Sequence, residues 1–349
     1  GGLGPTEDDL TRECAAEALG VSLIREADYI EWLKERFRRF NRVMPSVNEK
    51  QADRLEGGRL LMNAKGTAPG QIYERDGRIL VLLPGPPREM LPLFEAEVLP
   101  VVEARASGER IVMRVIRIAG MGESEVEQMI APIYRSFTNP VTTILGGPSE
   151  VELQLVGTGA GEEEATSRVE ELAGRLREVL GPRIFTERGE SMETVICRLM
   201  SERGLKLALA ESCTGGDLAA RLVRIPGASA FLERGFVTYS DRAKVQELGV
   251  REETLAAKGA VSEDTAREMA DGALRASGAD VALAITGIAG PAGGSEEKPV
   301  GTVCFAIAGR LGARTTRRIF PSADRERIIH QASNSALEIL RRALIGFEA

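Results

Sequence analysis

The sequence predicts a multi-domain α/β protein, and three observations carry that prediction. Short apolar runs such as LKLALA and DVALAIT alternate with amphipathic stretches of helical period, the pattern of strands covered by helices. Aromatic residues are only 4% of the chain while 38 residues are glycine, a composition suited to close helix-on-sheet packing rather than a β-sandwich. The 349 residues, 43% hydrophobic, are enough for two or three domains with cores of their own.

Composition also excludes function classes. The net charge is −7, and general nucleic-acid binding needs clustered Lys and Arg to displace counterions. The cysteines, Cys14, Cys197, Cys213 and Cys304, form no CxxC pair, so neither a zinc site nor a disulfide framework is expected and a reducing cytosol fits. No apolar run approaches the roughly 20 residues of a membrane helix.

The elements follow in order. The Gly-rich opening GGLGPTEDDLTRECAAEALG runs into a helix whose start is expected near Asp8 and Asp9, where carboxylates suit the macrodipole. Such a loop normally follows a strand. None precedes it, so the sequence reads as opening inside a domain. A second helix is expected around DYIEWLKERFRRFN. RILVLLP reads as a buried strand, ended by the rigid turn PGPPREM and followed by a helix to about residue 103. Residues 110–118 alternate like a strand, GMGESEVEQMIAPIY is a turn and a helix, VELQLVGTG is a strand, and EEEATSRVEELAGRLREVLG is an amphipathic helix. From about residue 187 the pattern restarts. Helix SMETVICRLMSERG leads to strand LKLALA, turn ESCTGG and helix DLAARLVRI. Strand GFVTYS and helix DRAKVQELG come next, then helix SEDTAREMADGALRASG, strand DVALAIT and loop GIAGPAGGSEEKP. Strands VGTVCFAIAG and RTTRRIF and a helix from about Asp324 complete it. The alternation predicts a mainly parallel sheet covered on both faces, with ligands outside the carboxyl ends of its strands. ESCTGG, TYSDRAK and TGIAGPAGG fall there.

Two readings of Ser212 compete. Before DLAARL it suits a helix cap, the commoner role of such a serine. As a nucleophile it needs a base. The sole histidine, His330, lies in a charged C-terminal helix, so a Ser-His-Asp triad is not expected. A desolvated lysine can serve instead. Lys244, on the first turn after strand GFVTYS, is the candidate, with Tyr239 at the strand's end as a partner in a proton network. Taken singly, Lys244 reads as an exposed lysine and Tyr239 as a half-buried strand-end residue. Cys213 is a rival nucleophile or a packed small residue. Thr214, Gly215 and Gly216 offer helix N-terminal amides for an oxyanion. TGIAGPAGG is either a phosphate cradle or a long turn, without the GK[ST] of a Walker loop. Lys298 and Arg325 are candidate anion partners, although most such charges are solvated. Asp8 and Asp9 are either oxygen ligands for Mg²⁺ or a similar cation, or solvated acids at a helix start.

These motifs together carry a resemblance. AESCTGG, TYSDRAK, GAVSE, TGIAGPAGGSEEKPVGTV and the PSADRERI helix, over about residues 188–346, closely resemble the CinA C-terminal domain, the bacterial nicotinamide mononucleotide (NMN) deamidases. GGLGPTEDD, LMNAKGTAPG and LLPGPPREM resemble the molybdopterin-binding-like domain of full-length CinA proteins, and the middle module resembles their KH-like linker domain. The resemblance implies a partial molybdopterin-binding-like α/β domain over 1–105, a KH-like α+β domain over 106–186 and an α/β/α deamidase domain over 187–349. It implies Ser212 as nucleophile, Lys244 as general base and Tyr239 as its hydrogen-bonding partner. Cys213, Thr214, Gly215, Gly216, Thr286, Gly287, Gly290 and Arg325 would form the oxyanion and substrate-binding set.

The implied reaction converts NMN to nicotinic acid mononucleotide and ammonia, in pyridine nucleotide recycling, with no cofactor. A bacterial, cytoplasmic homodimer acting without membrane or nucleic-acid partners is also implied. The first domain is similar to one linked with ADP-ribose pyrophosphatase activity dependent on Co²⁺ or Mg²⁺ and K⁺, which would place a metal at Asp8 and Asp9. The family has a further strand–helix–strand segment ahead of the GG loop, so that activity is not expected of the chain as it stands. A nucleotide-binding module is the remaining alternative.

Overall fold

The structure is a computed structural model, and it describes every residue except 107, 148–149, 323 and 348–349. The chain divides into two compact units, Gly1–Gly108 and Glu109–Ala349.

In the first unit, α1 (Thr11–Leu19) precedes β1 (Leu23–Arg25), α2 (Ala27–Arg38) and β2 (Asp53–Leu55), and β1 pairs antiparallel with β2. Strands β3 (Arg59–Leu61), β4 (Gly70–Arg75) and β5 (Arg78–Leu82) form an antiparallel sheet. RILVLLP is therefore not a fully buried strand: only Leu82 of β5 is buried. The sequence carries the reason. Asp76 and Gly77 both take positive φ, 51° and 74°, so ERDGR is a two-residue hairpin turn that returns β5 along β4. The helix expected to run to residue 103 is broken into α3 (Pro87–Leu93), a π turn over Phe94–Val98 and α4 (Leu99–Glu103), around Pro92 and Pro100, which cannot donate to the helical ladder. α1 begins at Thr11 rather than at Asp8, which places both acids in the turn before the helix.

In the second unit, β6 (Arg110–Ala119), α5 (Glu123–Tyr134), β7 (Val141–Gly146), β8 (Glu150–Gly159), α6 (Glu162–Leu180) and β9 (Ile184–Thr186) build a four-stranded antiparallel sheet, order β7-β8-β6-β9. Alternate residues of β8, including Val151, Leu153 and Leu155, are buried against Val126 and Ile130 of α5 and Val169, Leu172 and Leu176 of α6.

The rest of that unit is α7 (Met192–Glu202), β10 (Leu207–Glu211), α8 (Asp217–Val223), β11 (Leu232–Val237), α9 (Asp241–Leu248), α10 (Glu252–Lys258), α11 (Glu263–Ser277), β12 (Val281–Gly287), β13 (Thr302–Gly309), β14 (Arg314–Ile319) and α12 (Arg325–Ile345). The PSADRERI motif includes residue 323, which lies outside the described residues. The sheet order is β11-β10-β12-β13-β14. The first three strands are parallel. β13 and β14 are antiparallel because no helix intervenes between β12, β13 and β14 to carry the chain back.

The two faces differ in side-chain size. Leu207, Leu209, Leu283, Ile285, Val303 and Phe305 pack against α7, α8 and α12, while Ala208, Ala210, Ala282, Ala284 and Ala306 pack under α11. Alternation of large and small residues in LALA and VALAI therefore does more than mark a strand. It brings α11 close to the sheet, and Gly272 on α11 lies so near Leu248 that a Cβ there would stand 1.9 Å from the Leu248 carbonyl oxygen. The register sets Glu211 beside Val237 and Ile285, so β10 and β11 end level and β12 runs two residues further, to Gly287. Serine, threonine and glycine turns meet at that end.

Candidate active site

The site is built where β10 and β11 stop. The ladder runs one residue past both ends: Ser212 N donates to Ile285 O at 3.0 Å and Thr238 N to Glu211 O at 2.8 Å. Backbone pairing thus fixes Ser212 and Thr238 side by side. β11 itself ends at Val237, so Tyr239 lies beyond the strand it was expected to finish. Ser240 then caps α9, its hydroxyl accepting from Ala243 N, and turns the first helical turn with Lys244 back over the strand ends.

Lys244 is 1% exposed. Its Nζ lies 2.9 Å from Ser212 Oγ, 2.9 Å from Thr238 O and 3.4 Å from Tyr239 O. Among the described residues it makes no ion pair with a carboxylate. Burial lowers its pKa below the ordinary lysine value, a shift opposed by the charge of Asp241. An ammonium in this cage donates to all three oxygens. A neutral amine keeps two N–H groups for the two carbonyls and turns its lone pair to the serine hydroxyl.

Ser212 does not cap α8. The N-cap is Gly216, and the carboxylate of Glu211 holds the start of the helix instead. Glu211, 1% exposed, accepts from Thr214 Oγ1 at 2.8 Å, Gly216 N at 3.1 Å, Leu218 N at 3.1 Å and Ala219 N at 2.9 Å. Gly215 N donates to Ser212 O and Asp217 N to Thr214 O. Gly215 and Gly216, expected as oxyanion donors, are thereby occupied. Their contribution is conformational, with φ of 62° and 102°. Among the described residues no backbone or side-chain acceptor from elsewhere takes the amides of Cys213 and Thr214, the two next to Ser212. The sequence reading missed Glu211, and the signal was an acidic residue closing an apolar strand directly before a helix-forming turn.

Cys213 is buried, and burial pushes its thiol up to about 12. Gly287 exists to make room beside it: a Cβ there would stand 3.1 Å from Cys213 Sγ and 2.7 Å from Val303 Cγ2. Thr286 donates through its hydroxyl to Ala260 O at 2.8 Å and so ties β12 to the segment before α11. Arg325, the first residue of α12, donates from Nη1 to Gly290 O at 2.7 Å and from Nη2 to the Tyr239 hydroxyl at 2.8 Å. The hydroxyl of Tyr239 is thus held by Arg325, and its link to Lys244 runs through the main-chain carbonyl. The ring is 61% exposed.

Residues 189–344 match the CinA C-terminal domain, residues 1–104 a probable molybdopterin binding domain, and residues 113–186 the damage-inducible protein CinA KH domain. A relative from Caldicellulosiruptor bescii, named as a competence-damage inducible protein, is 45% identical over 347 residues, 99% of this chain and 84% of that protein. The chain belongs to the CinA family. A CinA-like protein of Solibacter usitatus is 42% identical over 99% of this chain and 83% of its own length. Among solved structures, a CinA superfamily protein of Klebsiella pneumoniae is 44% identical over 45% of this chain and 97% of that one, with a TM-score of 0.43.

Other expected groups of this CinA chain lie apart from the Ser212 turn or are already engaged. His330 is exposed on α12, its Nε2 3.2 Å from Asn334 Nδ2, and among the described residues the hydrogen-bond partner of the Ser212 hydroxyl is Lys244, not His330. Lys298 donates from Nζ to Lys258 O at 2.6 Å. In the first unit Thr6 Oγ1 lies 2.5 Å from Asp8 Oδ1 and 2.6 Å from Asp9 Oδ2, so its single proton is shared between the two carboxylates, and Thr6 N also donates to Asp9. Those bonds hold the Asp9 carboxyl below its ordinary range. Lys50 Nζ donates to the carbonyls of Thr6 and Asp9 in the same turn. Among the described residues no cluster of three or more His, Cys, Asp or Glu stands ready for a metal. No helix of the described residues is long and apolar enough to cross a membrane.

Proposed function

We propose that the chain is an amidohydrolase that converts NMN to nicotinic acid mononucleotide and ammonia through an acyl-enzyme on Ser212. The observation that carries this reading is the buried Lys244 ammonium position 2.9 Å from Ser212 Oγ, with no paired carboxylate among the described residues. Lys244 as a neutral amine accepts the Ser212 proton while Oγ attacks the carboxamide carbon. The oxygen of the tetrahedral intermediate takes up hydrogen bonds from the amides of Cys213 and Thr214, the donors in the turn left open for it. The carbon–nitrogen bond then breaks, and the Lys244 ammonium returns its proton to the leaving nitrogen, which departs as ammonia. Water, deprotonated by Lys244, attacks the acyl carbon, Ser212 leaves reprotonated, and the acid is released.

The pyridinium ring withdraws electrons from the carboxamide, which favours NMN over an ordinary amide. The Arg325 guanidinium and the glycine loop after β12 are the groups assigned to its phosphate. The test is incubation with NMN in EDTA, measuring ammonia and nicotinic acid mononucleotide. Release is expected from the wild type and absent from Ser212→Ala and Lys244→Ala. No release from folded wild-type protein sinks the reading.

A further inference from the structure

We propose that Glu211 is a positioning residue that decides which amides of the ESCTGG turn serve as the oxyanion hole; this rests on the amidase reading of the Ser212–Lys244 pair. A helix N-terminus with free amides attracts any anion in its ground state. Here the Glu211 carboxylate, buried at the end of β10, already takes Gly216 N, Leu218 N, Ala219 N and the Thr214 hydroxyl. The start of α8 is therefore closed to substrate phosphate or product carboxylate. The same four bonds hold the chain through Cys213 and Thr214 in one conformation, with Gly215 N folded onto Ser212 O. Two amides remain, next to the nucleophile, and they meet negative charge only after Oγ has attacked. Binding energy is thus kept for the transition state and withheld from anionic ground states.

The experiment is Glu211→Gln in the full chain. The glutamine fills the same space but replaces one acceptor oxygen by an NH₂ facing backbone N–H groups. With NMN as substrate, kcat is expected to fall about a hundredfold with KM within about threefold, as for loss of a transition-state donor. A residue that only stabilises the fold would lower the unfolding midpoint and leave kcat unchanged in folded protein. Thr214→Val serves if Glu211→Gln does not fold. It removes one donor to the carboxylate without leaving a new group unpaired, and about a tenfold fall in kcat is expected.

A fluorophosphonate that reacts with Ser212, displacing fluoride and forming an oxygen–phosphorus bond, reads the site without relying on NMN. If the wild type reacts and both variants react at least about tenfold more slowly, the positioning role stands even where NMN is not the substrate. Wild-type rates in folded Glu211→Gln, with either reagent, overturn it.

Discussion

Lys244 Nζ and Ser212 Oγ stand 2.9 Å apart, with two main-chain carbonyls as the other ligands of the ammonium. Burial depresses the lysine pKa. Because only the neutral amine can accept the serine proton, activity is expected to rise with pH and level off above that depressed value, with a limiting logarithmic slope of about one for a single proton. The midpoint should lie below the ordinary lysine value of about 10.4. A pH–kcat/KM profile measures it. Stability is linked to the same proton. Below the folded-state pKa the ammonium is present in folded and unfolded chains, and the folded state bears its burial cost. As pH rises from the folded pKa to the unfolded one, the folded chain binds fewer protons and gains stability. Lys244→Met removes that cost, so its advantage in unfolding temperature over the wild type should be largest at acid pH and shrink as pH rises. An advantage that grows with pH would contradict a buried, unpaired ammonium.

The tie between Tyr239 and Lys244 passes through the Tyr239 carbonyl, and Arg325 holds the phenol. Tyr239→Phe keeps that carbonyl, so its kcat should stay within about threefold of wild type, whereas a proton-relaying phenol would cost about a hundredfold or more. Arg325→Ala frees both the phenol and the Gly290 carbonyl, and it should raise KM for NMN more than it lowers kcat. Steady-state kinetics of the two variants separates the alternatives.

Much of this was legible in the sequence because the relevant signals are local. Strands β10 and β12 announce themselves by alternation, α9 and α11 by Ser240 and Ser262 at their caps, and Lys244 by its place on the first turn after a strand. What the sequence hid depends on pairing. β7 is hard to read because it is an edge strand with four of its six residues exposed and none buried. The direction of β13 and β14 within the mainly parallel sheet is not legible, because it is set by the connection and not by the strand. The amides of Gly215 and Gly216 look available because nothing in ESCTGG says that the turn folds so that Ser212 O takes Gly215 N and the Glu211 carboxylate takes Gly216 N.

Cys213 shows why the neighbouring hydroxyl, and not the thiol, is the expected nucleophile. Its thiol is pushed up to about 12 by burial, so it stays protonated and shielded near neutral pH. Cys213→Ala preserves the backbone amide and should keep kcat within about threefold of wild type, while Ser212→Ala should lose at least about a thousandfold. Alkylation of the folded protein with iodoacetamide at pH 8 should modify exposed Cys14 and leave Cys213 unmodified by mass spectrometry. Rapid loss of activity on alkylating Cys213 would reverse the assignment.

The site depends on how closely α11 lies on the alanine face of the sheet, and Gly272 tests that. A methyl group there would stand 1.9 Å from the Leu248 carbonyl oxygen, a backbone atom at the end of α9 that cannot swing aside. Gly272→Ala must therefore push α11 and α9 apart, although alanine is the better helix former by about 1 kcal/mol. The steric term should win, with a net loss of about 1–3 kcal/mol in denaturant unfolding. Since α9 carries Lys244, the displacement should also lengthen the Lys244–Ser212 contact and lower kcat in protein that is still folded. Glycine to alanine at Gly278 makes a control, because there a Cβ meets no atom within 4 Å and only the positive φ of 70° is strained. It should cost stability without changing kcat. If Gly272→Ala is as stable and as active as the wild type, the close approach of α11 is not what holds Lys244 over the serine.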